Sequence, residues 1–346
     1  MSPAANREQS ITLAALTAGF NRPSSRFRLR QYISRLAESG VIVKELMPFS
    51  DKTYYFPGPF KAVTRIPALF RSRDADMVWI SREFAVGYET FERLLKRPRI
   101  LDVDDAVWLH RPFGWFAMPD IARSMDAVIA GNAYLAEYFG KYCKKVYVVP
   151  TAIDLDRYTL RPEPANEQRD KFVIGWTGSS SNFKYLDTIE PVLNRFLREH
   201  DGAELILTAD RPWEYSLLPA EKVRFIRWSA EEEVSFLHSM SVGIMPLADD
   251  KWSRGKCAFK MLQYMGVGLP VIVSPVGMNR EVLDKGDVGL AAGSPDEWYD
   301  ALVSLYDDRS LQVKLGLEGR KVVEQFYSAD IIARDLAYIF KSLLVS

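Results

Sequence analysis

Residues 261–283 read MLQYMGVGLPVIVSPVGMNREVL. An apolar helical run ends at Gly266, Gly268 and Pro270 open a buried strand, and Gly277 turns the chain into another helix start. Helix, strand and helix within so short a span are the unit of a parallel sheet, because parallel strands need a crossover between them. Gly277 lets the amides of Met278 and Asn279 face an anion or sugar hydroxyls. Glu281 is placed to accept hydrogen bonds from hydroxyls or, in its plainer role, to complement the helix dipole.

Upstream, PLADDKWSRGKCAFKMLQYM at 246–265 sets Arg254, Lys256 and Lys260 in one stretch after a strand. The spacing predicts a helix over 256–266, with Lys256 and Lys260 on one face, where two like charges repel unless an anion joins them. A solvated basic face is the alternative. Earlier still, GWTGSSSNFK at 175–184 follows a strand and opens a helix. Glycines there permit close approach, Ser179 to Ser181 supply hydroxyls, and Lys184 adds a cation; a serine-rich turn with an N-cap is the alternative. Trp228, closing the strand VRFIRW, is grouped with these candidate ligand-binding residues.

The same alternation extends over the chain. ITLAALT at 11–17, VIVKELM, DMVWI, RILDV, DAVIA and KVYVV read as strands of a first half; KFVIGW, AELILTA, VRFIRW, VGIMPL, PVIVS and VGLAA as strands of a second. RFRLRQYISRLAESG, with Leu29, Tyr32, Ile33 and Leu36 at helical spacing, reads as one helix ending at Gly40. Further helices are expected near 183–199, 230–240, 278–284 and 296–306, with Pro191 either in the opening turns of the first or kinking it. TLRPEPANEQRD, after VVPTAIDLDRY, is the expected linker. A chain of 346 residues suits two domains. The expected domains are 1–155 and 156–325, followed by an amphipathic helix over 326–346. Both are α/β and doubly wound, with ligands in the loops after the strands and in a cleft between the halves.

Lys plus Arg equals Asp plus Glu, so the net charge is +0, which argues against a general nucleic-acid partner. Two cysteines, Cys143 and Cys257, lie in helix-like segments without metal spacing and are expected to be buried free thiols. No secretory signal or apolar run of about 18 residues is visible, so a cytoplasmic protein is expected, with peripheral membrane contact left open. The aromatic stretch PFGWFAMP and the basic stretches RSRD and RLLKRPR would suit such contact; a packed loop and an ordinary charged surface are the alternatives.

The second half resembles the retaining glycosyltransferases of family four, or group one, which have the GT-B fold of two Rossmann-like domains. VVPTAIDLDRY is similar to the family's domain junction, and residues 261–283 to its LEAmA-GlPVias segment. The resemblance implies a nucleotide-sugar donor on the second domain, a glycan, lipid-linked or small-molecule acceptor on the first, no cofactor, and a last helix over 326–346 that crosses back to the first domain. A nucleotide-sugar epimerase of similar architecture and an inactive nucleotide-sugar binder are the competing readings. The family's two glutamates fall here on Gly255 and Gln263, of which Gln263 can still bond a ribose hydroxyl. The loop from Gly19 approaches the donor phosphates in this fold, and Arg26 or Arg28 faces the acceptor.

RILDVDDAVWLH at 99–110 places Asp102 and Asp104 as D-x-D after a strand. In the other major glycosyltransferase fold such a pair holds a metal, but the second half already supplies cations, so no metal is expected. Asp104 or Asp105 is read as orienting the acceptor hydroxyl or acting as base, with capping as the alternative. By resemblance, His110 faces the donor sugar.

Overall fold

A computed structural model describes residues 10–17, 19, 22–48, 60, 63–85, 88–162 and 171–345. Phe20 and Asn21 of the first loop and residues 163–170 of the expected linker lie outside them. The chain forms two compact units: residues 1–152, 255–257 and 329–346, and residues 153–254 and 258–328.

The first unit has six parallel strands: β1 (Ile11–Leu16), β2 (Val41–Leu46), β3 (Met77–Ser81), β4 (Arg99–Val103), β5 (Ala127–Ala130) and β6 (Val146–Val148). Their order is β2-β1-β3-β4-β5-β6. All of β4 and β5 is buried, as expected of central strands covered on both faces. The sequence-predicted helix over 26–40 is instead two helices, Pro23–Arg28 and Ile33–Glu38. They are parted at Leu29 (φ −133°, ψ −69°), which is not helical. Leu29, Tyr32 and Leu36 are nonetheless buried against the sheet. The helix Ala329–Val345 also belongs to this unit; its Phe340 ring lies 5.1 Å from Trp79, and Asp330 pairs with Arg35 at 2.5 Å. Burying a phenylalanine of this kind contributes about 1.5–3 kcal/mol.

The second unit has six parallel strands: β7 (Phe172–Thr177), β8 (Ala203–Ala209), β9 (Val223–Arg227), β10 (Val242–Met245), β11 (Val271–Val273) and β12 (Gly289–Ala291). Their order, β12-β11-β10-β7-β8-β9, is that of the dinucleotide-binding doubly wound sheet, with the reversal between β7 and β10. Pro191 does not kink a long helix. One helix ends at Asp187, and Pro191 lies in the first turn of the next, Glu190–Glu199, where its missing N–H costs nothing. That helix buries Val192, Leu193, Phe196 and Leu197. Ser294 and Glu297 form a capping box on Pro295–Asp307.

Candidate functional site

In the second unit the loops after β7, β10 and β11 meet at the carboxyl edge of the sheet. The helix Phe259–Gly266 is clamped there by Tyr264, whose hydroxyl accepts from the Thr177 amide (3.0 Å) at the end of β7 and donates to the Ile244 carbonyl (3.4 Å) in β10. From its first turn Lys260 reaches back over the β7 loop. Its Nζ lies 5.4 Å from the centre of the Trp176 ring, and a Cβ on Gly178 would stand 2.5 Å from its Cε. The Ser253 hydroxyl donates to Tyr185 Oη (3.0 Å), tying the short helix Lys251–Arg254 to the helix Phe183–Asp187, whose exposed Lys184 lies 4.9 Å from the Tyr185 ring centre. Gly277 has φ +53°, and a Cβ there would come within 2.9 Å of the Arg254 carbonyl oxygen, so the β11 loop packs on the β10 loop only because this residue is glycine.

Several expected roles change. The shared helix face of Lys256 and Lys260 does not exist: the helix begins at Phe259, after Ala258 at φ +50°, and Lys256 groups with the first unit. Cys257, likewise outside a helix, is buried there, as is Cys143, also non-helical. The Arg254 guanidinium is held by Asp249 at 2.6 and 3.0 Å. Of the two amides expected to face an anion, that of Asn279 donates to Val276 (3.2 Å), and its side chain donates to the Ser274 carbonyl (3.0 Å). Met278 is buried, while Glu281 is exposed in the first turn of Met278–Leu283. Ser179 is bonded within its own loop, to Ser181 (2.8 Å) and Asn182 (2.8 Å).

Gln263 and Trp228 meet around Glu233, which the sequence reading passed over. This buried carboxylate accepts from Trp228 Nε1 (3.3 Å), Gln263 Nε2 (3.3 Å), Tyr158 Oη (2.8 Å) and Arg157 Nη2 (3.0 Å). A carboxylate only accepts, so Gln263 must turn its amide nitrogen toward Glu233 and its carbonyl oxygen away. Burial, then the Glu233 charge, pushes the Tyr158 phenol well up and keeps it a donor.

In the first unit, Arg28 is buried rather than facing an acceptor. It pairs with Asp102 at 2.6 Å and donates to the Val149 carbonyl at 2.8 Å. Burial would lower the Arg28 pKa, but the Asp102 carboxylate reverses this and raises it. Arg26 lies 4.7 Å from the Phe27 ring centre, and the Gly19 carbonyl accepts from Arg30 (3.3 Å). Asp104 and Asp105 share Arg82, at 2.5 and 2.6 Å. Arg82 holds φ +65°, a strained conformation for a side-chain-bearing residue and the kind retained at functional sites. Burial raises the Asp104 carboxyl, but Arg82 and Arg28 draw it below its ordinary value. Burial, opposed by Arg82 and helped by the Asp104 charge, leaves Asp105 above the ordinary value, with Lys256 also pulling it down. His110 Nδ1 stands 3.4 Å from Glu83, the chain neighbour of Arg82. Gly255, in the position of one family glutamate, would place a Cβ 2.8 Å from the Ala106 nitrogen, which leaves no room for a larger side chain.

The D-x-D carboxylates are thus divided between two guanidiniums, and among the described residues no three histidine, cysteine or carboxylate side chains form a metal cluster. A cavity of about 1090 Å³, lined by Phe172, Glu204, Arg224 and Gln312, opens at the amino edge of the second sheet, the end away from which such sheets bind ligands. No helix among the described residues is long and apolar enough to cross a membrane.

Residues 171–308 match the family "Glycosyl transferases group 1". The chain is 27% identical over 322 residues to the GDP-mannose-dependent alpha-(1-6)-phosphatidylinositol monomannoside mannosyltransferase of Mycobacterium tuberculosis, covering 82% of this chain and 80% of the relative. Its fold is similar to sucrose-phosphate synthase of Thermosynechococcus elongatus (TM-score 0.72, 14% identity, 97% and 99% of the two chains). It is also similar to Anabaena HepE solved with UDP and glucose (TM-score 0.70, 13% identity, 96% and 100%).

Proposed function

We propose that the chain is a group 1 glycosyltransferase that uses a nucleotide-sugar on its GT-B fold, that the donor diphosphate is held at the β7/β10 edge of the second sheet, and that transfer proceeds with retention and without a metal. The observation that carries this reading is the stacking of three loops there, with Lys260 over Gly178 and Trp176 and the Arg254 backbone against Gly277. Lys260 supplies the charge that offsets the negative charge growing on the leaving diphosphate, in a position fixed beforehand by Tyr264. The carbonyl oxygen of Gln263, oriented by Glu233, accepts from a ribose hydroxyl.

The acceptor belongs to the first unit. Asp105 orients its hydroxyl and draws off the proton, because a single Arg82 nitrogen donates to Asp105 where two donate to Asp104. The Mycobacterium relative is named for a phosphatidylinositol acceptor, and a lipid-linked acceptor would suit the exposed Phe113, Trp115 and Phe116 as a peripheral membrane contact. A panel of nucleotide-sugars, scored for binding, transfer and nucleotide release, tests the donor; transfer that EDTA abolishes and manganese restores would overturn the metal-free reading.

A further inference from the structure

Arg65 immediately precedes the helix Ile66–Arg71 and is 8% exposed. Its Nη1 donates to the carbonyl of Thr17, just past β1, and its guanidinium lies 5.7 Å from the ring centre of Phe84, just past β3. β1 and β3 are the neighbours between which the first sheet reverses its order, so Arg65 stands at the switch point where open α/β sheets take ligands.

The side chain is undersupplied with acceptors. A guanidinium presents five donors, and among the described residues Thr17 alone accepts from this one. Glu92, whose field reaches Arg65, spends its oxygens on the Phe84 amide and on Thr90. Glu45, which bonds the Thr17 hydroxyl, is paired with Arg30. Arg28, buried, and Arg82, half-buried, lie at the same edge, but each touches a carboxylate. With no such contact, burial draws the Arg65 pKa down to about 10 against the opposing Glu92 charge. A buried cation in this condition is stabilised by any anion that reaches it.

We propose that Arg65 is an anion-binding residue of the acceptor site, taking an oxyanion, phosphate or carboxylate, carried by the acceptor. The word acceptor rests on the glycosyltransferase reading above; the oxyanion site rests on Arg65 itself. The test is thermal unfolding of the full chain, saturated with a nucleoside diphosphate from the donor panel, against rising inorganic phosphate or malonate at constant ionic strength. One of the two anions is expected to raise Tm saturably, and which one does so separates a phosphate from a carboxylate. Arg65→Gln should weaken that saturation about 10- to 100-fold, as loss of charge-assisted hydrogen bonds does. Should Arg65→Gln not fold, Arg65→Lys, which keeps the charge but not the planar fork, must still shift the midpoint. No saturable rise with either anion, or variant midpoints equal to wild type, would overturn the proposal. If no nucleoside diphosphate binds, the donor reading fails, and the same titration without nucleotide still reads Arg65.

Discussion

At the carboxyl edge of the first sheet, Arg28 is locked to Asp102, and Arg82 to Asp104 and Asp105. At the corresponding edge of the second, Lys260 leans over an aromatic ring and a glycine, and the neighbouring loop is glycine packed on backbone. The first edge consumes most of its charge internally; the second combines a cation with surfaces that allow close backbone approach. Rigid charge pairing suits the orientation of an uncharged hydroxyl. Cations beside bare backbone suit a diphosphate, whose many oxygens need donors from several directions.

That contrast can be broken at its strongest point first. Arg28→Ala leaves Asp102 buried without its partner and should cost about 3–5 kcal/mol of stability. Urea unfolding reads this, and a loss under about 1 kcal/mol would mean the pair is not the anchor described. On the second edge, Lys260→Ala should lower kcat/KM for transfer about 100- to 1000-fold with the unfolding midpoint little changed, the scale of removing one preorganised charge stabiliser. An unaltered rate would take Lys260 out of the site. Gly277→Ala adds a Cβ against Arg254 at a left-handed φ and should cost about 1–3 kcal/mol while weakening donor binding. A variant as stable as wild type would show that the loop shifts freely.

The smallest expected effect concerns pH. As a base Asp105 must be ionised, so kcat/KM should fall as pH drops through a carboxyl value that burial and Asp104 have raised. Lys256 favours the ionised form, so Lys256→Ala should move that acid limb to higher pH, and Asp105→Asn should abolish it. A limb that stays in place in both variants would assign it to another group.

Among the described residues all twelve strands lie where apolar runs were read; the central ones are buried on both faces, which needs a continuous apolar sequence that little else has. Helix ends were less legible. Lys256 and Lys260 have ideal helical spacing, yet Ala258 adopts a left-handed φ that starts the helix at Phe259. The break at Leu29 is likewise a tertiary effect, since Arg28 turns inward to reach Asp102. Arg82 and Glu233 gave no local signal, because what marks them is the company of residues distant in sequence: Asp104, Asp105, Tyr158 and Gln263.

The sequence by itself determined the alternation of strands and helices, the two doubly wound sheets, and the loops where glycines and cations gather after the strands, since periodicity and residue type act locally. Only the tertiary structure decided which charges remain for a ligand. Whether a guanidinium is spent on a carboxylate or left short of acceptors depends on what folding brings within about 3 Å of it, where a charge-assisted hydrogen bond forms.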